Sequence, residues 1–217
     1  MNLLLHESVL LLCLDDEKGH FHSTLAYLNY GFAAAILMDL ILAERIVLED
    51  KKLKVATNAL TTNKILNEEL ERLYKAKKPP KVTAWLHNMV QRNSKVFKKC
   101  IDGLIQQGIL KMVKKKVLWI FPVKRYPSLN LEPEHTLRRR LQNILFKGET
   151  PSRDDRMLLA IIEACQLVSE IVPEKEQRKQ AKERIKKLTS ESEMKKLLGD
   201  AIQEMQVVVM TATSGAV

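Results

Sequence analysis

Apolar positions along this chain fall into blocks of helical period, broken at two places by short runs of strand character. Residues 3–14 (LLLHESVLLLCL) read as a short helix that ends at the polar DDEKG turn, 15–19. A buried helix follows over 25–44, with a stripe of Leu28, Phe32, Ala35, Ile36, Leu40 and Ala43, and with Gly31 and the alanines small enough for close helix packing. This segment is expected to be the centre of the fold. RIVLEDKKLKV then reads as a hairpin around Glu49-Asp50. Helix 65–77 is stopped by Pro79-Pro80, and a new helix carries Trp85, Leu86 and Met89 from near Val82 to about Gln91. From 92 to 107 Val96, Ile101, Leu104 and Ile105 set out a further helix, closed by Gly108. Two strands are expected after it, 109–113 and 117–121, joined by Lys114-Lys115-Lys116. The remainder reads as helix throughout: 134–146, then one capped by Pro151 or Ser152 and running to Val172, then 174–188, then 190 to about 209. The expectation is therefore a mainly α protein. A single helical domain spans 1–217, with an ordered core of about 3–210 and short β-hairpins, one of them protruding and apolar.

Helix followed by hairpin occurs twice, at 39–55 and at 102–120. That is also how a winged-helix module ends, so the pattern leaves a nucleic-acid reading open beside a lipid one. Alternation in the second strand puts Val117, Trp119 and Phe121 on one face and Leu118 and Ile120 on the other. An edge hairpin buries one face, and the other calls for lipid, another protein or a second copy of the chain, which leaves a homo-oligomer through the hairpin as one use of it.

Charge sharpens this picture. The chain has 36 Lys+Arg against 26 Asp+Glu, a net +10. Between Arg92 and Arg125 lie ten basic residues and the single acid Asp102, so one stretch holds nearly the whole excess. Concentrated positive charge beside apolar residues points to an anionic surface, whereas a plain solubilising face would be spread out. Arg92, Lys95, Lys98 and Lys99 are the candidate contacts on the helix. Lys114, Lys115, Lys116, Leu118, Trp119 and Ile120 are the candidates on the hairpin. Arg138-Arg139-Arg140 is offset by Glu132 and Glu134, and the mixed charges of 174–187 read as a solvated face.

The sequence offers little for catalysis. It contains no G-x-S-x-G or H-E-x-x-H, and seven glycines leave few phosphate-cradling loops. His20 and His22, just after Asp15 and Asp16, resemble half a metal site but have no third ligand at a useful spacing, so no metal and no cofactor is expected. His6, His87 and His135 stand alone and read as surface or satisfied residues. Cys13, Cys100 and Cys165 are far apart in apolar segments and read as reduced core residues. The N-terminal apolar run lacks a basic start and contains Glu7, and the run 31–43 is interrupted by Asp39, so neither a signal peptide nor a membrane span is expected.

LLHESVLLLCLDDEKG, ILMDLILAERIVLEDKKLKV, GLIQQGIL with its hairpin, and DDRMLLAIIEACQLVSEIV come in an order that resembles the Golgi phosphoprotein 3 family, over about 3–210. The resemblance implies one mostly helical domain, a basic surface for phosphatidylinositol 4-phosphate, a hairpin for membrane insertion or oligomer contacts, and no catalytic activity. It implies a cytoplasmic protein, peripheral on the membrane, at the Golgi cytoplasmic face in a eukaryote. Specific nucleic-acid binding is not implied. The chain departs from the family pattern where a Trp falls on Thr24 and an Arg on Ala33. Two further arginines fall on Arg92 and Lys95 or, counted from Gly108, on Ser94 and Phe97. The basic tail of eukaryotic members is not expected here.

Overall fold

The computed structural model describes residues 3–22, 25–117, 121–190 and 211. Eight helices and two hairpins are found among them, arranged around α2 (Leu25–Leu42). Helix α2 is buried on every side between residues 31 and 40, as a helix at the centre of a helical domain must be. It packs against α1 (Leu5–Leu12), α4 (Val82–Gln106) and α6 (Arg153–Ala164). Close approach is written into Gly31: a Cβ there would sit 2.9 Å from Leu167 Cδ1. Each large side chain fully buried in such a core stabilises it by roughly 1.5–3 kcal/mol, so Leu10, Leu28, Phe32, Ile36 and Leu40 are the centre of stability.

The one acid inside α2 also has a structural purpose. Asp39 Oδ1 accepts the Leu5 N–H at 2.9 Å, and Oδ2 accepts the His6 N–H at 3.1 Å and the His6 ring Nδ1 at 2.6 Å. A carboxylate distant in sequence thus satisfies free N–H groups of the first turn of α1. Glu7 adds to this by accepting the Leu4 N–H at 2.9 Å. His6, read from sequence as an isolated surface or satisfied histidine, is fully buried.

After α2 the chain leaves through Glu44 (φ 58) into β1 (Ile46–Glu49) and β2 (Lys52–Val55), which pair antiparallel with Glu49 opposite Lys52. Asp50 and Lys51 both have positive φ (49 and 60), as a two-residue hairpin turn of matching twist requires. Helix α3 (Lys64–Tyr74) starts at Asn63, whose side chain accepts from Ile65 N and Leu66 N.

Two boundaries differ from the sequence reading. The helix expected to stop near Gln91 continues without a break, so α4 is 25 residues long. No glycine or proline lies between 82 and 102 to end it, and Trp85, Met89, Val96, Cys100 and Leu104 hold a single buried stripe throughout. Conversely, the helix expected to run to Val172 ends at Ala164 and resumes as the short α7 (Val168–Ile171). Gln166 turns left-handed at φ 57, and Leu167 N–H bonds Ile162 O at 2.8 Å, a helix stop achieved without the usual glycine. Helices α5 (Glu132–Phe146) and α8 (Lys175–Thr189) close the domain. The expected helix at 190–209 falls almost wholly outside the described residues.

The largest correction concerns the second hairpin. Its strands are β3 (Val113–Val117) and β4 (Phe121–Arg125), joined through 118–120, and not 109–113 with 117–121. Ile109 and Leu110 are buried in the core at 1% exposure; Ile109 O accepts from Leu129 N and Asn130 N, and Leu110 makes an isolated bridge to Ser128, so these aliphatics close the end of α4 outside the β3–β4 ladder. The three lysines read as a turn therefore lie inside β3. The side chains of 117–121, to which the reading of two apolar faces applied, lie outside the described residues. Leu118, Trp119 and Ile120 lie outside the described residues, as does the Lys116 side chain.

Candidate functional site

The base of the second hairpin is fixed to the domain. Tyr126 N–H bonds Gly19 O at 2.9 Å, Ser128 N–H bonds Asp16 O at 2.8 Å, and the Ser128 hydroxyl donates to Asp16 Oδ1 at 2.6 Å. At Gly19 (φ 63) a Cβ would lie 2.3–2.5 Å from the Tyr126 and Pro127 backbone, so only glycine lets the 14–22 loop come this close. From this base β3 and β4 run in the register Val113↔Arg125, Lys114↔Lys124 and Lys115↔Val123. Lys111, Lys114, Lys115 and Lys124 are exposed. None of the four has an ion-pair partner among the described residues. Lys114 and Lys124 face each other directly across the ladder, where like charges destabilise a hairpin unless an anion lies between or above them.

The helical candidates present a different picture. Arg92 sends Nη1 to Glu69 Oε1 at 2.9 Å and Nη2 to Glu69 Oε2 at 3.1 Å, a forked pair on a carboxylate that is itself 2% exposed. It joins α4 to α3. Lys99 pairs with Glu68 on α3, and Lys98 pairs with Asp102 one turn along α4 at 2.8 Å. Lys95 is exposed and has no ion-pair partner among the described residues. Of the four helical residues singled out from sequence, three are thus neutralised by neighbouring acids.

Of the positions where the family pattern was expected to carry charge, Ala33 is fully buried and Phe97 packs against Phe32 with ring centroids 4.2 Å apart, and edge-on to Phe21 at 5.8 Å. Ser94 is exposed, and Thr24 lies outside the described residues. On the alignment anchored at Gly108, an aromatic stack occupies the place of a guanidinium. Arg138, from the other basic cluster, is likewise structural: it donates to Glu134 Oε1 at 2.5 Å, to Leu12 O at 2.8 Å and to Glu170 O. Arg140 bonds Asp155 Oδ2 at 2.7 Å.

His22 lies 3.3 Å from Asp15 and 3.6 Å from Glu170, and His20 stacks edge-on to it. Among the described residues no group of three or more His, Cys, Asp or Glu side chains is disposed to hold a metal ion. Asp15 is held below the usual carboxylate range mainly by the Lys18 N–H, as the cap of its own turn. The cysteines are buried and free of disulfides; burial pushes the Cys100 thiol well up and Cys165 up to about 12, which keeps both protonated and unreactive. No described helix is long and apolar enough to cross a membrane.

The fold and this surface define a mainly helical domain that displays a basic hairpin whose lysines have no ion-pair partner among the described residues. The match to the family model for Golgi phosphoprotein 3 (GPP34) extends over residues 5–205, and the chain belongs to that family.

Proposed function

We propose that this protein is a non-catalytic peripheral membrane protein that binds anionic lipid, phosphoinositides included, through the β3–β4 hairpin. The observation that supports this reading best is the Lys114↔Lys124 pair, two exposed like charges placed opposite each other with no acid paired to either among the described residues. Each Lys or Arg near an anionic leaflet contributes about 1 kcal/mol, decaying within a Debye length of roughly 10 Å at 0.1 M salt. Lys111, Lys114, Lys115 and Lys124, with Lys95 on α4, supply several such contributions. Trp119, in the segment of sequence between β3 and β4, suits the boundary between water and lipid, where an amphipathic ring is favoured. Recognition on this reading is of phosphate charge density, because the neutralised helix and the Phe21–Phe32–Phe97 stack leave no guanidinium cluster for one head group. The hairpin is also the segment through which a second copy of the chain would pair.

Sedimentation with vesicles tests the proposal. Phosphatidylcholine alone, phosphatidylcholine with phosphatidylglycerol, and phosphatidylcholine with phosphatidylinositol 4-phosphate are compared over a salt series, with duplex DNA as competitor. Binding to both anionic compositions that falls steeply with salt is expected. Equal binding to neutral vesicles overturns the proposal, and so does submicromolar sequence-selective DNA binding at physiological salt, which would favour the winged-helix reading instead.

A further inference from the structure

We propose that a proton held between Glu134 and Asp16 seats the root of the β3–β4 hairpin on the domain, so that the hairpin is held more firmly in acid than in base. Three features of the structure lead there.

The first is the seat itself. The chain leaving β4 is fastened to the 14–22 loop at three points: Tyr126 N–H to Gly19 O at 2.9 Å, Ser128 N–H to Asp16 O at 2.8 Å, and the Ser128 hydroxyl to Asp16 Oδ1 at 2.6 Å. Two of these bonds end on Asp16, so displacing Asp16 loosens the hairpin at its root. Leu110 bridges Ser128 and Lys111 N–H bonds Pro127 O at 3.0 Å, which ties the strand entering β3 to the same seat.

The second is Glu134, in the first turn of α5 and 2% exposed. Oε1 accepts from Arg138 Nε at 2.5 Å, while Oε2 is buried and has no donor among the described residues. A buried anionic oxygen without a donor is destabilised, whereas the same oxygen carrying a proton becomes a donor and needs an acceptor. Asp16 is that acceptor: its carboxyl is close enough to accept from a protonated Glu134 and to repel an ionised one. Its Oδ2 lies 3.9 Å from the ring of His135, the residue next to Glu134. Without the proton the two carboxyls are neighbours and not partners. Arg138 does not replace the proton, because it also donates to Leu12 O and Glu170 O, and Oε1 accepts from it in either form of Glu134.

The third is the charge around the pair. Asp15 and Asp16 lie on the loop, His22 lies between Asp15 and Glu170 of α7 with His20 edge-on to it, and α5 itself brings His135 and Arg138. Of these groups Arg138 alone is cationic at every pH, against the acids Asp15, Asp16, Glu134 and Glu170. Burial, with Asp16 adding and Arg138 opposing, accordingly raises the Glu134 carboxyl from 4.5 to about 7. The raised value belongs to the seated form, so the seat is strongest below pH 4.5 and weakens as pH rises to about 7. The inference rests on the lipid reading above only for its effect at a bilayer.

Hydrogen exchange of the full chain reads the seat without lipid. Once intrinsic rates are divided out, protection of the Tyr126 and Ser128 amides should fall about tenfold between about pH 6 and about pH 8, as release of one proton requires. The Ala56 amide, bonded to Arg45 O beside the first hairpin, is the reference and should not follow. Glu134→Gln and Asp16→Asn each put an amide N–H where the proton would lie, and should keep the acid level of protection at both pH values. A wild-type profile without the fall overturns the inference, as does a fall that either folded variant keeps, which would assign it to a histidine. In a second arm, vesicles of phosphatidylcholine with phosphatidylglycerol, whose phosphate diester keeps its charge over this range, are bound at the same two pH values. Wild type should bind about threefold more weakly at the higher pH, because ionised Glu134 adds negative charge at the root of a basic hairpin, and Glu134→Gln should lose less. Equal losses overturn the regulation of lipid binding. Absence of vesicle binding at either pH, with the exchange profile kept, sinks the lipid reading and leaves the seat standing.

Discussion

The outer face of α4 and the β3–β4 hairpin carry similar densities of lysine and arginine, yet they differ in what surrounds the charge. On α4, Arg92 and Lys99 meet Glu69 and Glu68 of α3, and Lys98 meets Asp102. On the hairpin, Lys114 meets Lys124. Formal charge is a property of composition, whereas the potential felt by a ligand depends on which acids the fold brings alongside. The helix spends its cations on holding two helices together, and the hairpin leaves its own facing outward.

The strongest way to break this comparison is to reverse the hairpin. Lys114→Glu with Lys124→Glu should weaken binding to anionic vesicles by about 100-fold or more at low salt, since roughly 1 kcal/mol is lost per lysine and a similar repulsion is added. The fold should be retained, because both positions are exposed. Vesicle sedimentation beside circular dichroism measures it, and unchanged binding of the folded variant would move the contact elsewhere.

Arg92→Ala should do the opposite: little change in vesicle binding but a loss of roughly 2 kcal/mol in urea-unfolding stability. The buried Glu69 carboxylate would keep only the longer contact to Arg72 at 3.5 Å, and the figure is set below the 3–5 kcal/mol of a fully buried pair because Arg92 is 33% exposed. A variant with wild-type stability and weakened lipid binding would return Arg92 to the binding surface.

The support beneath the hairpin gives a pH test. Burial raises the Glu134 carboxyl to about 7, with neighbouring Asp16 adding to it and Arg138 opposing. Glu134 Oε2 has no hydrogen-bond partner among the described residues, so Asp16 acts on it through proximity and not through a formed bond. Its folded pKa lies above the unfolded value of 4.5, so the folded state binds the extra proton between those values. Stability from this group is therefore fully present below pH 4.5 and declines as pH rises to about 7. Glu134→Gln should flatten that decline relative to wild type in paired urea titrations across the same range. Parallel curves would show that Glu134 ionises normally.

The smallest effect is expected at Lys98. It lies in an exposed pair one helical turn from its partner, so Lys98→Ala should leave stability unresolved from wild type and change vesicle binding only a few-fold. A loss as large as that of the hairpin reversal would show that α4 and the hairpin act as one surface.

Periodicity and composition alone determined the mainly helical character, the central position of α2, the first hairpin, whose turn falls one residue further on than read, at Asp50-Lys51, and the clustering of charge between Arg92 and Arg125. These are local properties: apolar spacing, breaker residues and counts survive without knowledge of neighbours. Tertiary structure decided the rest. It placed Ile109 and Leu110 in the core, which slid the second hairpin along the chain and drew Lys114, Lys115 and Lys116 into a strand. It ended α6 at Ala164, with Gln166 left-handed two residues on, although the sequence there has neither glycine nor proline. It turned Asp39, an interruption in an apolar run, into the cap of α1 and the anchor of His6. It also set Glu68 and Glu69 against α4, neutralising cations that looked free in the sequence. Partners brought together from 20 to 100 residues apart leave no spacing signature, since the free energy that selects them comes from burial and pairing in the assembled core.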